Sequence, residues 1–419
     1  MDISNKQVLH IATAGSVDDG KSTLIGRLLL DTKSITSDKL SAIEESSRRK
    51  GLDYTDLSLL TDGLVAEREQ GITIDVAHIY FATKSRKYII ADTPGHIEYT
   101  RNMVTGASNA DVSLILIDAR NGLVEQTRRH LYIAHLLRVP KVVVCINKMD
   151  LVSYDHARFE SIVNEVKALV ASASLAGFDI SFLPISSLYG ENIVEGSQLM
   201  PWYLGNSLIE VLEAIEVKAQ QRELPLRFSV QYVIRPKTNE YHDYRGYAGK
   251  VASGVFKLGD KVTVLPSGAI SEISAIQKYR TELNEAIAGE SVSILLKDDI
   301  GASRGDMLVK EGSLNFGNEI TSDICWMDNT PLVAGKTYKL QHGVSESRVK
   351  VISLNHKVNT ESLLLESGIS DFQLNDIGEV ILKSSKPILA DSYEQNRKNG
   401  AFILIDEFTN NTVGVGFVA

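Results

Sequence analysis

The apolar positions of the chain fall into two textures. Up to about residue 220, short continuous apolar runs alternate with stretches of helical periodicity. The runs are VLHIATA (8–14), KYIIAD (87–92), VSLILID (112–118), KVVVCIN (141–147) and ISFLPIS (180–186); Glu125 to Leu137 and His156 to Val170 lie between them with a 3.6-residue period. Val/Ile/Leu runs without polar alternation suit strands buried on both faces, so the spacing predicts a mostly parallel sheet covered by helices. After about Leu224 the runs shorten to RFSVQYVI, YAGKVASGV, DKVTVLPSG and ESVSILL, punctuated by Gly-Asp and Pro-Ser-Gly turns. That pattern predicts closed all-β structure. A turn-rich stretch at Pro225 to Arg227 and a break near Gly312 to Gly317 set the expected domains at 1–222, 225–312 and 313–419. The expected fold is thus an α/β domain with a mostly parallel sheet, followed by two all-β barrel-like domains.

Composition narrows the class without changing that picture. A chain of 419 residues, 43% hydrophobic and 23% charged, has the balance of a multidomain globular protein. No stretch approaches the ~20 consecutive apolar residues of a membrane span, and MDISNKQVLH lacks a basic-then-apolar export pattern. The expectation is a cytoplasmic protein without membrane contact. Cys145 and Cys325 each sit inside an apolar run and read as small buried hydrophobes. Trp202 and Trp326 read as packing residues, in a core or between domains. The net charge of −9 argues against a surface built to neutralise phosphates, so nucleic acid is not an expected partner.

The candidate chemistry begins directly after the first apolar run. Gly15-Ser16-Val17-Asp18-Asp19-Gly20-Lys21-Ser22, followed by Thr23 and the helical run Leu24, Leu28, Leu29, fits a phosphate loop between strand and helix. Glycines at both ends let the backbone curl so that successive N–H groups and the helix N-terminus face a polyphosphate. Lys21 is expected to reach the β- and γ-phosphates and the Ser22 hydroxyl to ligate Mg²⁺. A second Gly-Lys-Thr, at Gly335 to Thr337, has Thr330 in place of the first glycine and no helical run after it, and reads as a loop between strands.

The base is chosen elsewhere. Asn147-Lys148-Met149-Asp150 ends the run KVVVCIN. A carboxylate at Asp150 can accept from both N1–H and the exocyclic amine of guanine, whereas adenine has no donor at N1 and would leave a buried acceptor unpaired. Asn147 can brace base and phosphate loop, the Lys148 stem can lie on the ring face, and Ser186-Ser187-Leu188 follows the next strand, where a backbone N–H would meet the guanine oxygen. The expected ligands are therefore GTP and GDP, with Mg²⁺. Asp92-Thr93-Pro94-Gly95-His96 ends KYIIAD: Asp92 can hold Mg²⁺ through a water, the Gly95 N–H can meet the γ-phosphate, and His96 is the candidate for positioning the attacking water. Thr73, within Arg68 to Asp75, can complete the metal and water shell. Segments that touch only the terminal phosphate are released when it leaves, an order–disorder switch. The catalytic set is Lys21, Thr73 and His96, acting by positioning and electrostatics. No arginine finger is evident in cis, so slow hydrolysis accelerated by a partner is expected.

These residues resemble a known family. Gly71-Ile72-Thr73-Ile74, Asp92 to His96 and Asn147 to Asp150, in that order and followed by two β-modules, look like the elongation factor Tu group of translation-type GTPases. That group usually has His at the positions of Ser16 and Asp19. GSVDDGKSTLIGRLL is instead similar to the large, GTPase subunit of bacterial sulfate adenylyltransferase, as are AEREQGITIDVAHIYF (66–81), YTRNMVTGAS (99–108), MPWYLGNSLIEVLE (200–213), RGYAGKVASG (245–254) and VTVLPSG (262–268). The resemblance covers essentially the whole chain. It implies a small ATP-binding catalytic partner subunit that joins sulfate to ATP, giving adenosine 5′-phosphosulfate and pyrophosphate, with GTP hydrolysis in this chain driving the uphill step. Some family members carry a fused kinase, which is not expected here. The rival reading is an elongation-factor-like GTPase delivering aminoacyl-tRNA; it calls for the His-type phosphate loop, which this chain lacks.

Overall fold

The structure is a computed structural model, and it describes residues 8–49, 51, 53–60, 76–93, 100–172, 175, 179–216, 222–236, 244–279, 281–312, 317–359 and 361–419. The chain divides into two compact units, Met1–Val217 with Asn359–Leu364, and Lys218–Val358 with Leu365–Ala419.

The first unit is built on a six-stranded sheet of β1 (Val8–Ala14), β2 (Ala77–Ala82), β3 (Lys87–Asp92), β4 (Val112–Asp118), β5 (Lys141–Asn147) and β6 (Ile180–Pro184), in the order β2-β3-β1-β4-β5-β6. Only β2, on the edge beside β3, runs antiparallel; β1, β3, β4, β5 and β6 are parallel to their neighbours. All seven residues of β4 are buried, which is why that run shows no polar alternation. The described helices are α1 (Lys21–Asp31), α2 (Ser37–Arg49), α3 (Thr100–Ala107), α4 (Glu125–Leu136), α5 (His156–Ser172) and α6 (Leu208–Ala214). Leu24, Ile25 and Leu28 of α1 pack with Leu9, Ile11, Ile90, Leu114, Leu116 and Val143 into one core. Helix α6 begins on a capping box in which Ser207 and Glu210 satisfy each other's backbone N–H groups. Strand order reverses around β1: the chain winds to β3 on one side of it and to β4, β5 and β6 on the other. Crevices of that kind at the carboxyl ends of parallel strands are where such sheets bind ligands, and the loop after β1 opens into this one.

The second unit holds two closed rings. In the first, β7 (Arg227–Ile234), β8 (Gly246–Ser253), β9 (Lys261–Leu265), β10 (Ala269–Lys278), β11 (Ser291–Leu296) and β12 (Met307–Lys310) pair in the order β9-β12-β7-β8-β11-β10, and β10 returns to pair with β9. In the second, β13 (Gly317–Trp326), β14 (Thr337–His342), β15 (Ser345–Val358), β16 (Ile377–Ile388), β17 (Ala401–Ile405) and β18 (Thr412–Val418) run β14-β17-β18-β13-β16-β15 and close through β14 and β15. Each ring encloses its own apolar core, the first around Phe228, Tyr247 and Phe256, the second around Trp326, Tyr338 and Phe372. Closure removes sheet edges and accounts for the short, turn-punctuated runs.

Cys145 and Cys325 are both buried and free, and burial pushes the Cys145 thiol up to about 12. Trp326 is buried in the second ring and donates to the Thr330 carbonyl at 2.9 Å. Gly335, in the discounted Gly-Lys-Thr, lies in a loop at φ +89° between the short strand Leu332–Val333 and β14.

Candidate functional site

The loop from Gly15 to Gly20 joins β1 to α1. Gly20 sits at the helix start with φ +92°, and a Cβ there would fall 2.5 Å from Asn147 Nδ2. A side chain is therefore excluded twice, by backbone strain and by contact. Lys21 is buried, and its Nζ donates to the carbonyls of Gly15 at 2.8 Å and Ser16 at 2.9 Å. Burial pulls the Lys21 ammonium below its usual pKa, and Asp92, Asp19 and Asp18 only partly offset this. A buried cation with too little anion around it fits an approaching polyphosphate.

Ser16 and Asp19, the two residues that set this loop apart, hold each other. Asp19 Oδ2 accepts from the Ser16 N–H at 2.5 Å, and the Ser16 hydroxyl donates to Gln126 Oε1 on α4. Burial raises the Asp19 pKa against the lowering effects of that hydrogen bond and of Lys21. Asp18 is exposed at φ +67°, a conformation Asp tolerates better than most residues, while Val17 is half-buried. Ser22 and Thr23 are half-buried in the first turn of α1.

Asn147 joins this loop to the candidate base-recognition segments. Its Nδ2 donates to the Asp19 carbonyl at 2.8 Å, and its Oδ1 accepts from the Ser187 N–H at 3.0 Å and the Ser187 hydroxyl at 2.9 Å. The Ser186 hydroxyl donates to Asp150 Oδ1 at 2.6 Å, and Lys148 Nζ donates to the Asp18 carbonyl at 2.5 Å. Leu188 is half-buried beside them in sequence. Phosphate loop, Asn147–Asp150 and Ser186–Leu188 are thus one hydrogen-bonded assembly, although Asn147 reaches Asp19 across 128 positions and Ser187 across 40. Asp92 is buried and accepts from the Thr13 hydroxyl at 2.9 Å. Its carboxylate and the Ser22 hydroxyl are hard oxygen donors, the kind that suit Mg²⁺. Thr73, Gly95 and His96 lie outside the described residues.

Asp118 was not legible as part of this assembly. It ends β4 directly beside Asn147 in the parallel register. Its carboxylate accepts from Arg120 Nε at 3.0 Å and Arg120 NH2 at 2.7 Å, and pairs with Lys148 Nζ at 3.0 Å. Burial raises its pKa, but the hydrogen bonds from Arg120 and Lys148 outweigh that and hold it at about 2. Because the folded pKa is depressed, its contribution is present above the usual carboxylate range and is lost as pH falls through about 2. Asp118 thereby steers the Lys148 side chain. The usable signal was positional, a carboxylate ending the strand next to the one that carries Asn147.

A phosphate loop after the first strand, coupled through one asparagine to an Asn-Lys-x-Asp segment, defines a GTP-binding domain of the phosphate-loop class. The family model for the elongation factor Tu GTP binding domain matches residues 6–221, and that for the GTP-eEF1A C-terminal domain-like family matches 319–419. Among curated relatives, the chain is 48% identical to sulfate adenylyltransferase subunit 1 of Erwinia tasmaniensis, covering 99% of this chain and 86% of that one. It is 45% identical to the protein of the same name from Bacteroides fragilis, again over 99% and 86%. Against the bifunctional enzyme CysN/CysC of Mycobacterium tuberculosis it is 47% identical over 98% of this chain and 67% of the relative. The chain belongs to the sulfate adenylyltransferase subunit 1 family, within the proteins that carry the elongation factor Tu GTP binding domain. Among the described residues, no helix is long and apolar enough to cross a membrane.

Proposed function

We propose that this chain is the GTP-hydrolysing subunit of a heteromeric sulfate adenylyltransferase, and that it drives the reaction of ATP with sulfate on a small catalytic partner. The observation that carries the nucleotide part is Asn147, whose one amide grips the phosphate loop and the Ser186–Leu188 segment together. Base recognition and phosphate binding are thereby made a single event. The relatives' names support the sulfate part.

In this reading the backbone N–H groups from Gly15 to Gly20 and the start of α1 cradle the phosphates, with Ser16, Val17, Asp18, Asp19 and Thr23 shaping the cradle. Asp150 accepts from the guanine edge, Asn147 and Lys148 brace the ring, and a backbone N–H of Ser186, Ser187 or Leu188 meets its oxygen. Ser22, Thr73 and Asp92 hold Mg²⁺, which supplies positive charge against the phosphates. Lys21 neutralises charge on the transferring phosphoryl, Gly95 senses the terminal phosphate and His96 orients the attacking water. The domain boundaries follow as 1–222, 225–312 and 313–419; the ring of β7 to β12 ends at Lys310 and that of β13 to β18 begins at Gly317, which supports the second of them.

Sulfate adenylation is uphill, so GTP hydrolysis helps only if the GTP and GDP states differ in affinity for the partner's intermediates. The test is sulfate-dependent pyrophosphate release by an ATP-binding partner subunit, with and without GTP. Stimulation by GTP is expected, together with slow hydrolysis by the isolated chain. Retention of aminoacyl-tRNA with no effect on pyrophosphate release would instead favour an elongation-factor-like role. Replacing Lys21 by Ala removes hydrogen bonds from a charged donor worth ~1.5–3 kcal/mol. GTP affinity should fall about ten- to a hundredfold in calorimetric titration.

A further inference from the structure

The Met-Pro-Trp-Tyr stretch at residues 200–203 lies between the candidate base loop and α6, and Trp202 does more than fill space. Its indole N–H donates to the Tyr154 carbonyl at 3.0 Å. Tyr154 closes the turn that carries Asp150: its own N–H donates to the Met149 carbonyl at 2.8 Å, and the Ser153 N–H donates to the Asp150 carbonyl at 3.3 Å. On the other side, the Met149 N–H donates to the Ile185 carbonyl at 3.2 Å. Ser153 and Tyr154 both adopt left-handed backbone, at φ +55° and +57°. Left-handed backbone is strained for any residue with a side chain, so two such residues in succession persist only where the surroundings hold them.

Trp202 is in turn held by its neighbours. Its ring stacks on His156 at the start of α5, with centroids 4.6 Å apart and planes 21° off parallel, and packs against Phe159 at 5.4 Å. The indole therefore links α5 to a strained turn whose Ser153 N–H holds the backbone carbonyl of Asp150, the residue that carries the carboxylate.

We propose that Trp202 is a positioning residue for base discrimination, fixing the plane in which the Asp150 carboxylate meets the nucleobase. This rests on the reading of Asp150 as the guanine acceptor. Accepting two donors at once, N1–H and the exocyclic amine, demands that both carboxylate oxygens lie in the ring plane; accepting N1–H alone does not. A loosened turn should thus penalise guanine more than hypoxanthine, which lacks the exocyclic amine.

The experiment compares Mg²⁺-loaded GTP and ITP binding by calorimetry in the full chain and in two variants. Trp202→Phe keeps a ring for the stack and removes the N–H donor. His156→Ala keeps the N–H and removes the ring that seats it. The preference for GTP over ITP should fall about tenfold in Trp202→Phe and about threefold in His156→Ala, because GTP affinity drops while ITP affinity changes little. A purely structural role would weaken both nucleotides in proportion and leave the ratio unchanged. An unchanged ratio in both variants overturns this inference and leaves the base site standing. A wild-type chain with no preference for GTP over ITP overturns the base-site reading itself, and this inference with it.

Discussion

Replacing Asp150 by Asn is expected to weaken GTP binding by two to four orders of magnitude and to create binding of XTP. In the proposed reading the carboxylate offers acceptors to two guanine donors, each hydrogen bond to a charged group being worth ~1.5–3 kcal/mol. The local geometry dictates how the asparagine amide would lie. The Ser186 hydroxyl already donates to one Asp150 oxygen at 2.6 Å. An amide at that position keeps its carbonyl toward Ser186 and turns its NH₂ toward the base. There it faces the N1–H and amine of guanine, donor against donor. Xanthine carries an oxygen where guanine has the exocyclic amine, so the same NH₂ finds an acceptor. A site built to hydrogen-bond one partner rejects the mismatched one strongly because its polar groups are left unpaired. Titrations with GTP and XTP on both proteins check this. GTP affinity unchanged in Asp150→Asn would mean that the base lies elsewhere, and the Asn147-centred assembly would lose its reading as a nucleotide site.

How much of this was readable from sequence depended on the distance over which a residue acts. Strands β4 and β5 declare themselves most clearly, because every residue in them except Lys141 is buried and their runs are dominated by Val, Ile and Leu, while β1, β3 and β6 show shorter apolar stretches. Strand β2 does not: as an antiparallel edge it alternates in burial, with His78, Tyr80 and Ala82 exposed and only Phe81 fully buried, and IYFA is too short an apolar run to stand out. Helix α2, SDKLSAIEESSRR, buries only Ile43 and Ser47 and carries too narrow an apolar stripe to stand out. The same rule holds at the site. Gly15 to Ser22 and Asn147 to Asp150 are legible because their chemistry needs fixed residue types at fixed local spacing. The partners that hold those motifs are not, because nothing local marks them. Gln126 meets Ser16 across 110 positions, Asp118 meets Lys148 from the neighbouring strand, and Trp202 reaches Tyr154 across 48 positions. Trp202 does pack, as its residue type suggested, against His156 and Phe159. The directional hydrogen bond it adds could not be read from an aromatic residue in a turn.

The second large effect lies in the β-rich unit, where a carboxylate between the two rings is expected to govern stability. Arg227, the first residue of β7, is almost fully buried and forks onto Asp391, with NH2 to Oδ1 at 2.7 Å and Nε to Oδ2 at 3.1 Å. Asp391 lies between β16 and β17 of the other ring, and its Oδ2 also accepts from Asn396 Nδ2 at 2.8 Å and Asn399 Nδ2 at 2.9 Å. Asn396 continues the network to the Ser253 hydroxyl at 3.0 Å, which in turn donates to the Pro225 carbonyl at 2.6 Å. Asp391→Ala would leave a buried guanidinium without its counter-ion and take one acceptor from each of two amides. Breaking a buried pair from one side costs ~3–5 kcal/mol, whereas replacing both partners with apolar residues of similar volume is often neutral. Asp391→Ala should therefore be severely destabilised, and Arg227→Met with Asp391→Leu should recover most of the loss. The units need not unfold together, so the readout must belong to this one. Trp326 sits in the core of the second ring, and in a Trp202→Phe background its fluorescence reports that ring alone. With a urea slope of ~2–3 kcal/mol/M for a unit of this size, Asp391→Ala should lower the Trp326 midpoint by about 1–2 M. An unmoved midpoint would mean that water already solvates the Arg227 guanidinium, and that the rings are held by apolar contacts such as those among Leu265, Met307, Val309 and Leu389.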